Sequence, residues 1–298
     1  MAFFKTAIKV IRRIRDSIHN TDFSIQTWLL LGASLQTLLL LCLPRNFALL
    51  LPISVLLCRF LQLQLRVAGI FPNPEAEEVI YDRITAQYPD SVEKADKGIV
   101  VLVLAASMSH PNGGFVEGMD KLGKYFESMW QDANTHRERY GYLGNTPSLT
   151  AELSANDEYG PRRGDDKGKT MMWLSYWKTL DGLHAFANEG SHLQGMVWWE
   201  KVVDKYKFTG LMHEVYEVPA GNWENVSANF RPFGLTNARF PVETEKDGQK
   251  VTEWVPGVRS MTKGRGTMNK NVEKEWKNMT VRMGRPNGSV GLRKRTAA

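Results

Sequence analysis

Three histidines stand where an imidazole could act as a general base. His110 closes an apolar run at Ser109-His110-Pro111, His192 follows Gly190-Ser191, and His213 lies inside the alternating stretch Gly210–Val218. An imidazole with an ordinary pKa near neutrality suits proton abstraction at physiological pH, provided that a neighbour fixes its tautomer. Ser109, Tyr176 and Asn229 are candidate hydrogen-bond partners for that chemistry, with His110 or His213 as the base. His213 and Glu214 are adjacent in an extended stretch, so they face opposite sides of a sheet and do not form a simple pair. Trp173, Trp177, Trp198 and Trp199 surround these positions in the chain, and with His192 they can line a cavity for a flat or polyunsaturated ligand or fill a core.

Other chemistries lack their signatures. The sequence has no G-x-G-x-x-G after a strand, no Walker loop, no H-E-x-x-H, no serine-hydrolase elbow and no Cys/His cluster. Metal ligation is therefore not predicted. The two cysteines, Cys42 and Cys58, lie in the apolar N-terminal region, which fits a reducing, cytosol-facing location for the rest of the chain.

The elements that must position these residues can be read from periodicity. Ile99–Ala106 reads as a buried strand, and Gly118–Asp132 as a helix with Met119, Leu122, Tyr125, Phe126 and Met129 on one face. Tyr142–Leu153 is a strand interrupted by Pro147, and Ser154–Gly168 is a polar loop. Thr170–Trp177 is a central strand, Thr179 and Asp181 cap a helix through Phe186, Gly190–Lys205 is helical, and Gly210–Val218 is the last strand. The order β-α-β-β-α-β is the ferredoxin-like split motif, with helices on one face of an antiparallel sheet. The other face needs a cover, supplied by a second copy of the sheet or by the chain after Ala220.

Ahead of this domain the chain is apolar. Phe23–Leu43 is long enough to cross a membrane, and no small-x-small cleavage site precedes Pro44, so it reads as a retained anchor. The run Phe47–Cys58 continues through Arg59, Gln62, Gln64 and Arg66, and fits either a tight hairpin or an interfacial helix. Basic residues among apolar ones in the first fifteen positions suit an anionic membrane face and a cytoplasmic N-terminus. A hairpin would return the main domain to the cytoplasmic side, and a single span would place it in the lumen. The organisation expected is an anchor at 1–70, a linker at 71–97 with an acidic helical segment Glu75–Arg83, the α+β domain at 98–235 and a basic, partly disordered tail at 236–298. The net charge of +6 comes without an aromatic-basic platform, so nucleic acid is not an expected partner.

Several stretches carry a resemblance. They are Ser109-His110-Pro111 with Gly113-Gly114, Trp173–Trp177 followed by Asp181–Ala187, Ser191-His192, Trp198-Trp199, Gly210–Val218, and Asn222–Leu235 with Asn229, Pro232 and Gly234. Together they resemble the monooxygenase-like family of dimeric α+β barrels that includes the antibiotic-biosynthesis-type monooxygenase of fumagillin biosynthesis. Ser109 stands where the family often has Asn, and Ser154–Gly168 is a longer insert. The resemblance implies a ferredoxin-like dimeric α+β barrel, here preceded by an N-terminal membrane anchor. It also implies oxidative tailoring of a lipophilic polyketide or terpenoid intermediate in secondary metabolism. On that reading a histidine ionises an electron-rich substrate that reduces dioxygen directly, no cofactor is required, and the protein is a homodimer at the endoplasmic reticulum with its main domain facing the cytoplasm. A haem-binding, aldoxime-dehydratase-like enzyme with His213 or His192 as axial ligand is the alternative by analogy of fold. A non-oxidative cyclase or isomerase using the same base is another, and a tethered binding protein without turnover is a third.

Overall fold

The computed structural model describes residues 25–90, 95–110, 116–150 and 169–260. The chain divides into two compact units. Within the first, α1 (Ile25–Cys42) and α2 (Arg45–Val67) are joined through Leu43 and Pro44. Both helices are long and apolar enough to cross a membrane, and no residue of α1 is buried. The polar residues of the second run do not end the helix: α2 continues unbroken through Arg59, Gln62, Gln64 and Arg66. Arg, Gln and Leu, none branched at Cβ, are good helix formers, and they outweigh the change in polarity. A short 3₁₀ turn follows at Pro74–Ala76, where the Asn73 side chain accepts from the Glu75 N–H at 3.2 Å.

The second unit is an α+β structure. Its main sheet contains β2 (Ile99–Met108), β3 (Tyr142–Asn145), β4 (Leu149–Thr150), β5 (Lys169–Trp177) and β6 (Thr209–Val218). The path is β3-β5-β2-β6, with β4 also paired to β5. Helix α3 (Met119–Thr135) and the short α4 (Arg137–Tyr140) connect β2 to β3, while α5 (Leu180–Ala187) and α6 (Gly190–Val202) connect β5 to β6. This is the connectivity expected from the alternation of periods. The local reasons are visible. Thr179 caps α5 by accepting from the Gly182 N–H at 3.1 Å, and Gly141 ends α4 with a φ of +61° that favours glycine.

Two clusters form the core. On the helix side, Val100, Leu102, Tyr142 and Trp177 pack against Met129, Ala133, Leu183 and Phe186. The other face of the sheet, with Ile99, Val101, Leu143, Leu174 and Tyr176, packs against Ala86, Tyr88, Trp223, Leu235, Ala238 and Phe240. The chain after Ala220 therefore covers part of the second face.

That cover corrects one expectation and adds to another. The segment expected as an acidic helix, Glu75–Arg83, instead runs from the 3₁₀ turn into β1 (Ile80–Ala86), antiparallel to both β7 (Ser227–Phe230) and β10 (Val258–Ser260). Thr85 faces Arg259, and Arg83 faces Ala228. Ile80, Tyr81, Ile84 and Thr85 favour a strand once partners exist, and those partners come from the far end of the chain. Likewise, the start of the expected tail is ordered. A 3₁₀ turn (Gly234–Asn237) leads into a hairpin of β8 (Arg239–Lys246) and β9 (Gln249–Pro256), turned at Asp247-Gly248 with both φ angles positive. Asp-Gly is the dipeptide that such a two-residue turn demands. The remaining tail, the polar loop Ser154–Gly168 and the basic N-terminal helix lie outside the described residues.

Candidate active site

The candidate residues separate into buried and open sets. In β5, alternate residues face opposite sides of the sheet. Trp173 lies on the helix side, stacked on Phe126 with ring centroids 4.9 Å apart. Trp177, also on that side, is 0% exposed, packs against Phe186 at 4.8 Å and donates its Nε1–H to Ser175 Oγ at 3.0 Å. Tyr176 points the other way into the second cluster. Its Oη lies 3.0 Å from where a Cβ on Gly234 would fall, so glycine with a φ of +59° makes room for the phenol. Burial raises the Tyr176 pKa, which keeps the phenol a neutral donor at physiological pH.

His192 opens α6. Its Nδ1 is 2.8 Å from the Ala187 carbonyl, which can only accept, so Nδ1 carries the proton and the neutral ring presents Nε2 as a lone pair. The imidazole packs against Phe186 at 5.1 Å. Burial lowers its pKa below the ordinary value, the hydrogen bond to Ala187 partly offsets this, and charge on His213 lowers it further. A neutral imidazole with one nitrogen fixed by a backbone carbonyl is a base of defined direction.

The N-terminus of α6 is tied to α3. Asp132, whose side chain is 12% exposed, accepts the Ser191 N–H at 2.9 Å through one oxygen and contacts His136 Nδ1 at 2.7 Å through the other. Gly190 is required beside it, because a Cβ there would fall 2.0 Å from Asp132 Oδ2. Arg139 pairs with Glu189 at 2.7 Å next to this junction. Sequence reasoning missed Asp132 and His136, although their spacing of four on one helix was the available signal.

His213 is exposed on β6, the outer strand of the sheet path. Thr209, whose hydroxyl contacts Met119 Sδ at 3.5 Å, and Val218, packed on the second cluster, set the alternation of the strand. Leu211, His213 and Val215 share the helix side with Thr209, and Met212, Glu214 and Tyr216 take the other face. There Tyr216 donates to Glu214 at 2.5 Å. His213 and Glu214 thus diverge as the alternation predicts.

Trp198 packs on Tyr125 at 5.3 Å under the Lys121 ammonium, 5.2 Å from its ring, and Trp199 is 6.4 Å from Trp198. Both indoles are half-buried. Asn229 is exposed on β7 with a φ of +51°, a conformation asparagine tolerates better than most residues. Ser109, exposed, and His110, half-buried, group with the first unit, whereas every other candidate belongs to the second. Of the candidate bases, His213 is the one whose charge reaches His192.

A shallow open depression of about 300 Å³ lies between Glu138, Arg139, Lys178, Thr179 and Asp181. Its charged lining does not suit a lipophilic ligand. Among the described residues no group of three or more His, Cys, Asp or Glu is placed to hold a metal ion. Haem ligation asks for an enclosed slot beside the imidazole; within one chain His213 lies exposed on its strand and His192 is half-buried against Phe186.

Residues 99–235 match the family model of Monooxygenase af470-like proteins. The chain is also 28% identical over 252 residues to Monooxygenase af470 of Aspergillus fumigatus, an alignment that covers 80% of this chain and 86% of that protein. Together these matches support an oxidoreductase enzyme. Among solved structures, similarity extends to a putative antibiotic biosynthesis monooxygenase from Nitrosomonas europaea, at 15% identity and a TM-score of 0.23, covering 41% of this chain and 90% of that one. SnoaB, a cofactor-independent oxygenase from Streptomyces nogalater, aligns at 10% identity with a TM-score of 0.23, covering 40% and 91%. Aldoxime dehydratase in complex with butyraldoxime aligns at 14% identity with a TM-score of 0.36, covering 52% of this chain and 41% of that one.

Proposed function

We propose that this chain is a membrane-anchored monooxygenase of secondary metabolism that oxygenates a lipophilic, electron-rich polyketide or terpenoid intermediate, with His192 as the base and no bound cofactor. The observation that carries the reading is the fixed imidazole. Nδ1 is committed to the Ala187 carbonyl and burial keeps the ring neutral, so Nε2 is ready to accept a proton at physiological pH. His192 thereby takes the role first assigned to His110 or His213. His213 becomes its electrostatic neighbour, which discourages protonation of the resting base, and Trp198 and Trp199 supply aromatic surface on the same helix.

The chemistry balances without an added reductant. His192 removes a proton from an enol, phenol or activated methylene, and the anion passes an electron to dioxygen. The two radicals join through a C–O bond, the peroxide anion takes back the proton from His192, and cleavage of the O–O bond with loss of the remaining C–H proton releases water and leaves one oxygen atom in a new carbonyl. Two apolar helices ahead of the domain suit an endoplasmic-reticulum anchor, with the main domain facing the cytoplasm beside the bilayer into which such a substrate partitions. Exposed Leu211 and Val215 on one face of β6, and Met212 and Tyr216 on the other, support pairing with a second copy in a dimeric barrel.

The test is dioxygen uptake by the full chain in lipid nanodiscs, with a panel of enolisable hydroxyaromatics and polyenes. Uptake lost in His192→Gln is the expected result. Product formed at the same rate without dioxygen would overturn the reading in favour of a cyclase or isomerase.

A further inference from the structure

Helix α2 contains a proline whose consequence falls on α1. Pro52 has no N–H, so the carbonyl four residues earlier, that of Ala48, loses its helical partner. In water that oxygen would be hydrated, but Ala48 is 0% exposed within helices that are otherwise apolar and outward-facing. The Gln36 side chain of α1 fills the gap, donating through Nε2 to the Ala48 oxygen at 2.8 Å. The same bond answers the question posed by a glutamine inside an apolar helix. Thr37, the next polar side chain, returns its hydroxyl to the Ala33 carbonyl of its own helix at 2.9 Å.

We infer that α1 and α2 insert into a bilayer as a hairpin, latched near its turn by Gln36 on the carbonyl that Pro52 frees, so that the N-terminus and the catalytic unit stand on the same side of the membrane. This rests on the anchoring reading above and adds its topology. The lengths fit. At 1.5 Å per residue the 18 residues of α1 reach about 27 Å and the 23 of α2 about 35 Å, against a hydrocarbon core of about 30 Å. Leucines point outward along both helices, and lipid is the partner that matches an apolar surface on every side. The polar residues fall at the two ends. Arg45 and Asn46 open α2 beside the turn, while Arg59, Gln62, Gln64 and Arg66 return toward the side where α1 begins, at Gln26 and Trp28. Arg59, about 21 Å from Arg45 along the axis, reaches the near interface by extending its side chain. Inside hydrocarbon, each freed backbone group must find a partner within the protein, which makes the latch a condition for the pair rather than a decoration.

The test uses the full chain in sealed microsomes, in a Cys42→Ser, Cys58→Ser background carrying single cysteines at Ala2→Cys, Asn46→Cys or Asp247→Cys. A membrane-impermeant maleimide should label positions 2 and 247 from outside, and position 46 only after detergent. Labelling of 2 and 247 from opposite sides would overturn the hairpin in favour of a single span. Labelling of all three from outside, in protein that resists carbonate extraction, would also overturn it while leaving the anchor intact. Release of the protein by carbonate would instead defeat the anchoring reading itself. For the latch, Gln36→Leu should raise the fraction of oppositely placed chains several-fold, and adding Pro52→Ala, which restores a helical donor to Ala48, should reverse the effect. An unchanged fraction in Gln36→Leu, or no reversal in the double variant, would overturn the latch.

Discussion

Strands β5 and β6 belong to one sheet and differ in almost every physical respect. In β5, Trp173, Ser175, Tyr176 and Trp177 are all buried, with helices over one face and the chain after Ala220 over part of the other. In β6, Leu211 through Glu217 are exposed on both faces. The aromatic richness of β5 builds the platform, and the candidate base and its neighbour stand at the margin, on α6 and β6. On the proposed reading, stability rests on β5 and chemistry on α6 and β6, and variants should divide accordingly.

The largest effect is expected on the buried side. Phe240 is 0% exposed and comes from the segment after the family match, so Phe240→Ala should cost about 3–5 kcal/mol of unfolding free energy in a denaturant titration. A loss under about 1 kcal/mol would mean that the flanking hairpin is not part of the core. On the open side, His192→Gln should lower turnover by at least about 100-fold while thermal unfolding at neutral pH changes little. At the junction between the regions, Gly190→Ala should destabilise by about 1–3 kcal/mol, since its Cβ would displace the Asp132 carboxylate from the start of α6. Tyr216, 51% exposed on β6, should tolerate Ser within about 0.5 kcal/mol in a monomer, and a larger, concentration-dependent loss would reveal a second copy covering the strand.

The smallest effect is a slope. The pKa of His192 is lowered in the fold, so the unfolded chain binds the extra proton more readily. The stability held by the neutral ring is complete above the ordinary value of 6.5 and is lost as pH falls below it. The Gln variant should flatten that part of the stability profile, as read from denaturant midpoints across the acid range.

How much of this was legible in the chain depends on the range of each interaction. The α+β alternation was readable because each element declares itself locally. Thr179 caps α5, Met119, Phe126 and Met129 recur at helical spacing, and β2 is a short β-branched run. The turn at Asp247-Gly248 was equally local, yet the charge around it argued for a tail. What remained hidden was non-local. Strand β1 depends on Arg259 and Ala228, far along the chain, and without those partners Glu75–Arg83 has a helical composition. Among the site residues, spacing could nominate Trp177 and His192 alike but could not assign burial. Only packing separates an indole sealed against Phe186 from an imidazole held by the Ala187 carbonyl.

The most direct test of the account is the fate of labelled dioxygen in a turnover assay of the full chain in nanodiscs, run on the wild-type protein, His192→Gln and Trp177→Phe. The account predicts one atom of ¹⁸O in the product and one in water. The label should vanish in His192→Gln and persist in Trp177→Phe, whose cost is stability alone. Label entering the product from water, or undiminished incorporation in His192→Gln, would contradict it.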